Sequence, residues 1–113
     1  MKPGEVVLLR FPQEDLTEGK LRPALVLAIA PGQHTDVLLA LITSRLYQQV
    51  QGFDELVDPA DADFVSSGLK ARSVIRLARL ASVDAAAVNA RLGEISAARL
   101  HGIKERLVKW LKK

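Results

Sequence analysis

Ala24-Leu25-Val26-Leu27-Ala28-Ile29-Ala30 is followed by Pro31-Gly32-Gln33-His34-Thr35-Asp36 and then by Val37-Leu38-Leu39-Ala40-Leu41-Ile42-Thr43. Two apolar runs thus flank a polar segment that opens on Pro-Gly. Leucine and alanine lean toward helix, but the runs are short, and the proline and glycine between them favour a reversal of an extended chain. The stretch predicts an antiparallel strand pair, and that pair sets the fold class.

On the N-terminal side, Glu5-Val6-Val7-Leu8-Leu9-Arg10-Phe11 is apolar and β-branched, and Pro12 closes it, so a further strand is expected. The segment from Gln13 to Lys20 is polar, without periodicity, and carries Glu14, Asp15 and Glu18; it reads as a loop. On the C-terminal side, residues 44–68 are irregular, with a short strand at Phe53–Val57 and a solvated turn over Asp58-Pro59-Ala60-Asp61-Ala62-Asp63. Ser73–Leu80 reads as a strand with Val74, Arg76 and Ala78 on one face and Ile75, Leu77 and Arg79 on the other. Asp84 is placed to cap one helical turn across Ala85–Asn89, and Arg91–Ile95 forms the last strand. Ser96 then caps a helix whose apolar stripe is Leu100, Ile103, Leu107 and Leu111, with Trp110 at its border and lysines and arginines as a solvated face. Many strands and one terminal amphipathic helix predict a mainly β protein, a small barrel with the C-terminal helix packed on it. Without a linker or internal repeat, residues 1–113 are expected to form one domain.

Bulk properties narrow the function classes. An apolar fraction of 49% excludes a disordered chain, and no apolar run reaches the length of a membrane span. No apolar block follows the early positive charge, so no signal peptide is expected. The absence of cysteine excludes disulfides, cysteine-ligated zinc and thiol catalysis, and fits a reducing cytosol. Charge is segregated: residues 1–68 carry five Lys/Arg against ten Asp/Glu, and residues 69–113 carry eleven against three. A concentration of positive charge suits a polyanion, nucleic acid before membrane, although a solvated basic helix would give the same count. Five aromatic residues are too few for a wide base-stacking platform.

Three sets of residues then stand in order. The first is Pro3-Gly4-Glu5-Val6-Val7-Leu8-Leu9 with Phe11-Pro12. The second is Gly19-Lys20-Leu21-Arg22-Pro23-Ala24-Leu25-Val26-Leu27 with Leu41-Ile42-Thr43-Ser44. The third is Ser67-Gly68-Leu69, Ser73-Val74-Ile75-Arg76-Leu77, Val83-Asp84 and Arg91-Leu92-Gly93. Together they resemble the MazF/PemK/Kid toxins of type II toxin–antitoxin systems. The resemblance implies an SH3-like barrel of the CcdB/MazF kind with a C-terminal helix. It also implies a cytoplasmic homodimer that cleaves single-stranded RNA at preferred short sequences without a metal or other cofactor, restrained by a cognate acidic antitoxin. No membrane association follows from it.

Cleavage by the RNA's own 2′-hydroxyl needs a base there, an acid at the leaving 5′-oxygen and cationic donors for the phosphorane. Arg22 suits the donor role, because its planar fork binds phosphate oxygens in pairs and stays charged. Pro23 biases it toward an extended backbone at a strand entrance. An arginine that caps a strand edge or pairs with Glu14 or Glu18 would read the same way. Thr43 ends a strand, where its hydroxyl can donate to the same phosphate. The resemblance implies that Arg22 and Thr43 are catalytic, and that Arg76 matches an arginine used in the Kid branch. Ser44, Arg45, Arg72 and Arg76 are the expected RNA contacts. Where relatives often place a carboxylate, this chain has Ala78, and where an Arg-Thr pair is frequent it has Ala81-Ser82. His34 and His101 read as surface residues, so the base falls to Glu14, Asp15 or Glu18, with Glu18 and Glu14 preferred, or to Arg22 acting with water. Asp58, Asp61 and Asp63 lack the glycine and distal glutamate of a calcium loop. The alternative is a barrel of the same fold that binds RNA or a protein without cutting, as CcdB toxins bind gyrase.

Overall fold

The computed structural model describes residues 1–12, 20–33 and 35–113. The expected bases Glu14, Asp15 and Glu18, the rest of their loop, and His34 lie outside the described residues. Among the described residues, six strands form one antiparallel sheet: β1 (Glu5–Leu9), β2 (Arg22–Ile29), β3 (Asp36–Thr43), β4 (Glu55–Val57), β5 (Ser73–Asp84) and β6 (Ala90–Glu94). Their order is β4-β5-β3-β2-β1-β6, so the predicted hairpin of β2 and β3 occupies the centre. Two helices complete the described chain, α1 (Phe64–Ser67) and α2 (Ala97–Leu111). The sheet is a half-barrel with the terminal helix packed on it, as the strand pattern predicts. No helix among the described residues is long and apolar enough to cross a membrane.

The apolar runs are continuous, not alternating, because the central strands bury both faces. Val6, Leu25, Leu27, Ala40 and Ile42 point into a core shared with Ile75, Leu77, Ile103 and Leu107. Their neighbours Val7, Ala24, Val26, Leu39 and Leu41 enter a second cluster on the opposite face, which Phe11 joins. Bulges bend the sheet. One lies in the β2–β3 ladder between Val26 and Ala28, and a larger one on β5 opposite the step from Ala40 to Leu41.

Several boundaries differ from the sequence reading. β1 ends at Leu9 and not at Phe11, and Phe11 is recruited to the second cluster. β5 does not stop at Leu80 but pairs with β3 as far as Asp84, with Ala81 and Val83 half-buried and Ser82 and Asp84 exposed. The Asp84 cap is present: its side chain accepts from the Ala86 N–H, at the head of a 3₁₀ turn, Ala85–Ala87. Ser96 caps α2 by accepting from the Arg99 N–H. The helix stripe ends early, because Ile103 and Leu107 are buried whereas Leu111 is 73% exposed. Trp110 packs edge-on against Phe53 with ring centroids 5.2 Å apart.

The acidic turn is not solvated alone: two arginines of α2 pair with it and with Glu55, while the helix lysines stay exposed. Arg99 reaches Asp63 and Asp61 at 2.9 and 2.8 Å and Glu55 at 2.7 Å, and only 11% of its side chain is exposed. Arg106 pairs with Glu55 and donates to the Phe53 carbonyl oxygen at 3.0 Å. Asp63 also accepts from the Ser96 N–H at 2.9 Å, tying the turn to the start of α2. The Arg99 guanidinium holds the Asp63 carboxyl down at about 2, against an ordinary 3.8.

Candidate active site

The two residues singled out for chemistry come together through strand register. In the β2–β3 ladder Val26 faces Leu39, Leu25 faces Ala40 and Ala24 faces Leu41. The same register carried two residues further sets Arg22, the first residue of β2, opposite Thr43, the last of β3. On its other side Arg22 pairs with Leu9 of β1. Thr43 also faces Val74 of β5, so the pair sits where three neighbours of the sheet end together.

Thr43 is held by the chain that follows it. Its Oγ1 accepts from the Arg45 N–H at 3.0 Å, and Arg45 begins a 3₁₀ turn at Leu46–Gln48. With one lone pair used in this way, the hydroxyl proton remains available to an acceptor in the adjacent space. That space is a cleft of about 390 Å³. Arg22, Thr43, Ser44 and Arg45 line it on the strand-end side, and Gly68, Leu69, Lys70 and Ala71 line it from the segment after α1. Among the described residues its lining holds three cations, Arg22, Arg45 and Lys70, and no aspartate, glutamate or histidine.

The second side of the cleft is fixed by two glycines in close approach. Gly68 ends α1 with φ of 76°, and a Cβ there would collide with the backbone carbonyl of Leu92. A Cβ on Gly93 would likewise strike the carbonyl oxygen of Ser66. The Ser66 hydroxyl donates to the Glu94 carbonyl oxygen at 3.2 Å, and the Leu69 N–H donates to Ser67 Oγ at 3.2 Å. Strand β6 therefore sets the position of residues 68–71.

Two expected RNA contacts are placed otherwise. Arg76 approaches Asp54 Oδ2 at 3.1 Å and donates to Gln48 Oε1 at 3.2 Å, and it does not line the cleft. Asp54 is fully buried and also accepts from the N–H groups of Val50 and Leu77, so Arg76 neutralises an internal carboxylate. Arg72 likewise lies outside the lining and pairs with Asp58 at 2.7 Å. Lys70 was missed by sequence reasoning. Its only signal was a position just after Ser67-Gly68-Leu69, whose role in forming a wall depends on the contact with β6.

A family model described as "PemK-like, MazF-like toxin of type II toxin-antitoxin system" matches residues 2–111. The chain belongs to that family. Two solved structures show the family fold in other members. One is described as an endoribonuclease in complex with its cognate antitoxin from Mycobacterial species; it is 18% identical, superimposes with a TM-score of 0.69, and the match covers 99% of this chain and 95% of that one. The other is the Mycobacterium tuberculosis toxin MazF-mt6, 20% identical, with a TM-score of 0.64 and coverage of 98% and 97%. No curated protein sequence matches. Family membership accounts for the half-barrel with its terminal helix, while the site rests on the register and the cleft.

Proposed function

We propose that this PemK/MazF-like chain is the toxin of a type II toxin–antitoxin pair and acts as a metal-independent endoribonuclease on single-stranded RNA. The observation that carries the reading is the register that sets Arg22 beside Thr43 at a cleft with cations and no described carboxylate. A phosphodiester is drawn into such a cleft and bound by its non-bridging oxygens. The 2′-oxygen attacks the adjacent phosphorus and its proton passes to a base. The bond from phosphorus to the 5′-oxygen breaks as that oxygen takes up a proton, leaving a 2′,3′-cyclic phosphate and a 5′-hydroxyl. Arg22 spans two oxygens of the phosphorane with its fork, and the Thr43 hydroxyl donates to the same group. Glu18 or Glu14, four and eight positions before Arg22 in the chain, serves as the base.

The toxin works in the cytoplasm as a homodimer, for which Tyr47, Val65 and Leu111 offer exposed apolar surface. Its cognate antitoxin is acidic, and its tail occupies the same cationic cleft. The experiment is to incubate the purified protein with a long single-stranded RNA in EDTA, map the ends, and sediment the protein at micromolar concentration. Cleavage at a short preferred sequence with cyclic phosphate ends, by a sedimenting dimer, is the expected result. Ala78, at the position where relatives often place a carboxylate, favours a second reading, a module that binds without cutting. RNA that is bound and left whole would select it.

A further inference from the structure

Most of the arginines around the barrel are committed to carboxylates. Arg72, Arg76, Arg91, Arg99 and Arg106 each have such a partner. Lys70 is an exposed cleft-lining cation with no carboxylate partner among the described residues. It stands two residues beyond Gly68, where Gly68 and Gly93 bring the end of α1 against β6 so closely that no room is left even for a methyl group. Leu69, just before it, is buried in the core, so the chain is anchored one residue from the ammonium-bearing position. A lysine on the surface of a helix spends its charge on water. A lysine on the wall of a cleft whose described lining holds no carboxylate has an anion as its best partner there.

We propose that Lys70 is an RNA-binding residue that grips the phosphate of a nucleotide next to the one held by Arg22 and Thr43. The inference rests on the RNA reading above. Arg22 and Arg45 enter the cleft from the strand ends and Lys70 from the segment after α1, so a strand lying in the cleft meets positive charge carried by two separate segments. A flexible four-carbon stem carrying a point charge suits a phosphate that must be held without being distorted, whereas the fork of Arg22 suits the reacting one. Lys70 therefore governs binding and placement of the strand, and Lys70→Arg retains its function.

The test uses a mixed-sequence, labelled, single-stranded deoxyoligonucleotide, which offers phosphates but lacks the attacking 2′-hydroxyl. Its affinity is measured across a salt series for the parent, Lys70→Ala, Lys70→Gln, Lys70→Arg and Lys104→Ala, the last removing an exposed α2 charge outside the cleft. One lost phosphate contact on a single strand lowers the slope of log affinity against log salt by about 0.7. Lys70→Ala and Lys70→Gln should both show that loss, with roughly tenfold weaker binding at low salt. Lys70→Arg and Lys104→Ala should keep the parent slope. Equal slopes for the parent and both neutral Lys70 variants, with melting unchanged, overturn the inference while leaving the RNA reading in place. An equal drop in Lys104→Ala also overturns it, by showing a bulk charge effect. A parent that neither binds this strand nor cuts RNA removes the RNA reading itself, and this inference with it.

Discussion

At the scale of single residues, the proposed chemistry separates geometry from charge. If Arg22 holds the phosphorane through two fixed donors, Arg22→Lys fails almost as badly as Arg22→Ala, because an ammonium cannot reproduce the fork. Losing one preorganised donor of this kind costs roughly a hundred- to a thousand-fold in rate. Thr43→Ser keeps the hydroxyl and retains much of the activity, whereas Thr43→Val keeps the shape and loses it. Single-turnover cleavage rates beside thermal melts check all four variants, and full cleavage by a well-folded Arg22→Ala would remove Arg22 from the mechanism. Arg76 shows where residue-level reading reaches its limit. It alternates correctly along β5, yet its role depends on Asp54, 22 positions earlier, whose buried carboxylate no local pattern reveals.

At the scale of elements, the central hairpin was legible because Pro31-Gly32 punctuates two runs too short for ordinary helices. The terminal helix was legible from its cap and its stripe as far as Leu107. The segment α1 was not, being a four-residue helix that turns on Gly68. Its position comes from interlocking with β6, a contact between segments that share no sequence pattern. For the same reason the candidate site was half legible. Arg22 and Thr43 stood out through the family resemblance, their strand ends only agreeing with it, but the wall that carries Lys70 depends on the Gly68–Gly93 approach. Gly93→Ala tests that junction: the added methyl has nowhere to go except into the Ser66 carbonyl. Overpacking of this kind costs about 1–3 kcal/mol. Chemical denaturation should show a loss in that range, with RNA cleavage falling further than stability explains, because the wall shifts.

At the scale of the whole molecule, several of the opposite charges that look segregated in sequence are joined in space. The Arg99 cluster ties the acidic turn to the terminal helix. Asp63 is 8% exposed and titrates at about 2 when folded, below its ordinary 3.8. Its contribution is therefore complete above about pH 4 and is lost as pH falls toward 2. The shift corresponds to about 2 kcal/mol. Melting followed from pH 5 to 2 should show this acid limb, and Asp63→Asn should flatten it while lowering stability at neutral pH. An unchanged limb in that variant would mean that other carboxylates set acid stability.

The doubly buried hairpin has a consequence for how the protein can fail. In a sheet with one wet face, a one-residue slip exposes apolar side chains and is rejected at once. Here a slip of β2 against β3 exchanges one apolar set for another, so polarity does not police the pairing. Side-chain size, the bulge near Leu27, and the turn closed by the Ala30 N–H on the Asp36 carbonyl oxygen must do so. The turn is itself moored, since the Ala85 N–H donates to the Thr35 carbonyl oxygen at 2.8 Å. Those few contacts decide whether Arg22 meets Thr43 or passes it. A misregistered barrel would be an inert decoy, compact and apolar inside, differing from the working toxin by a single notch.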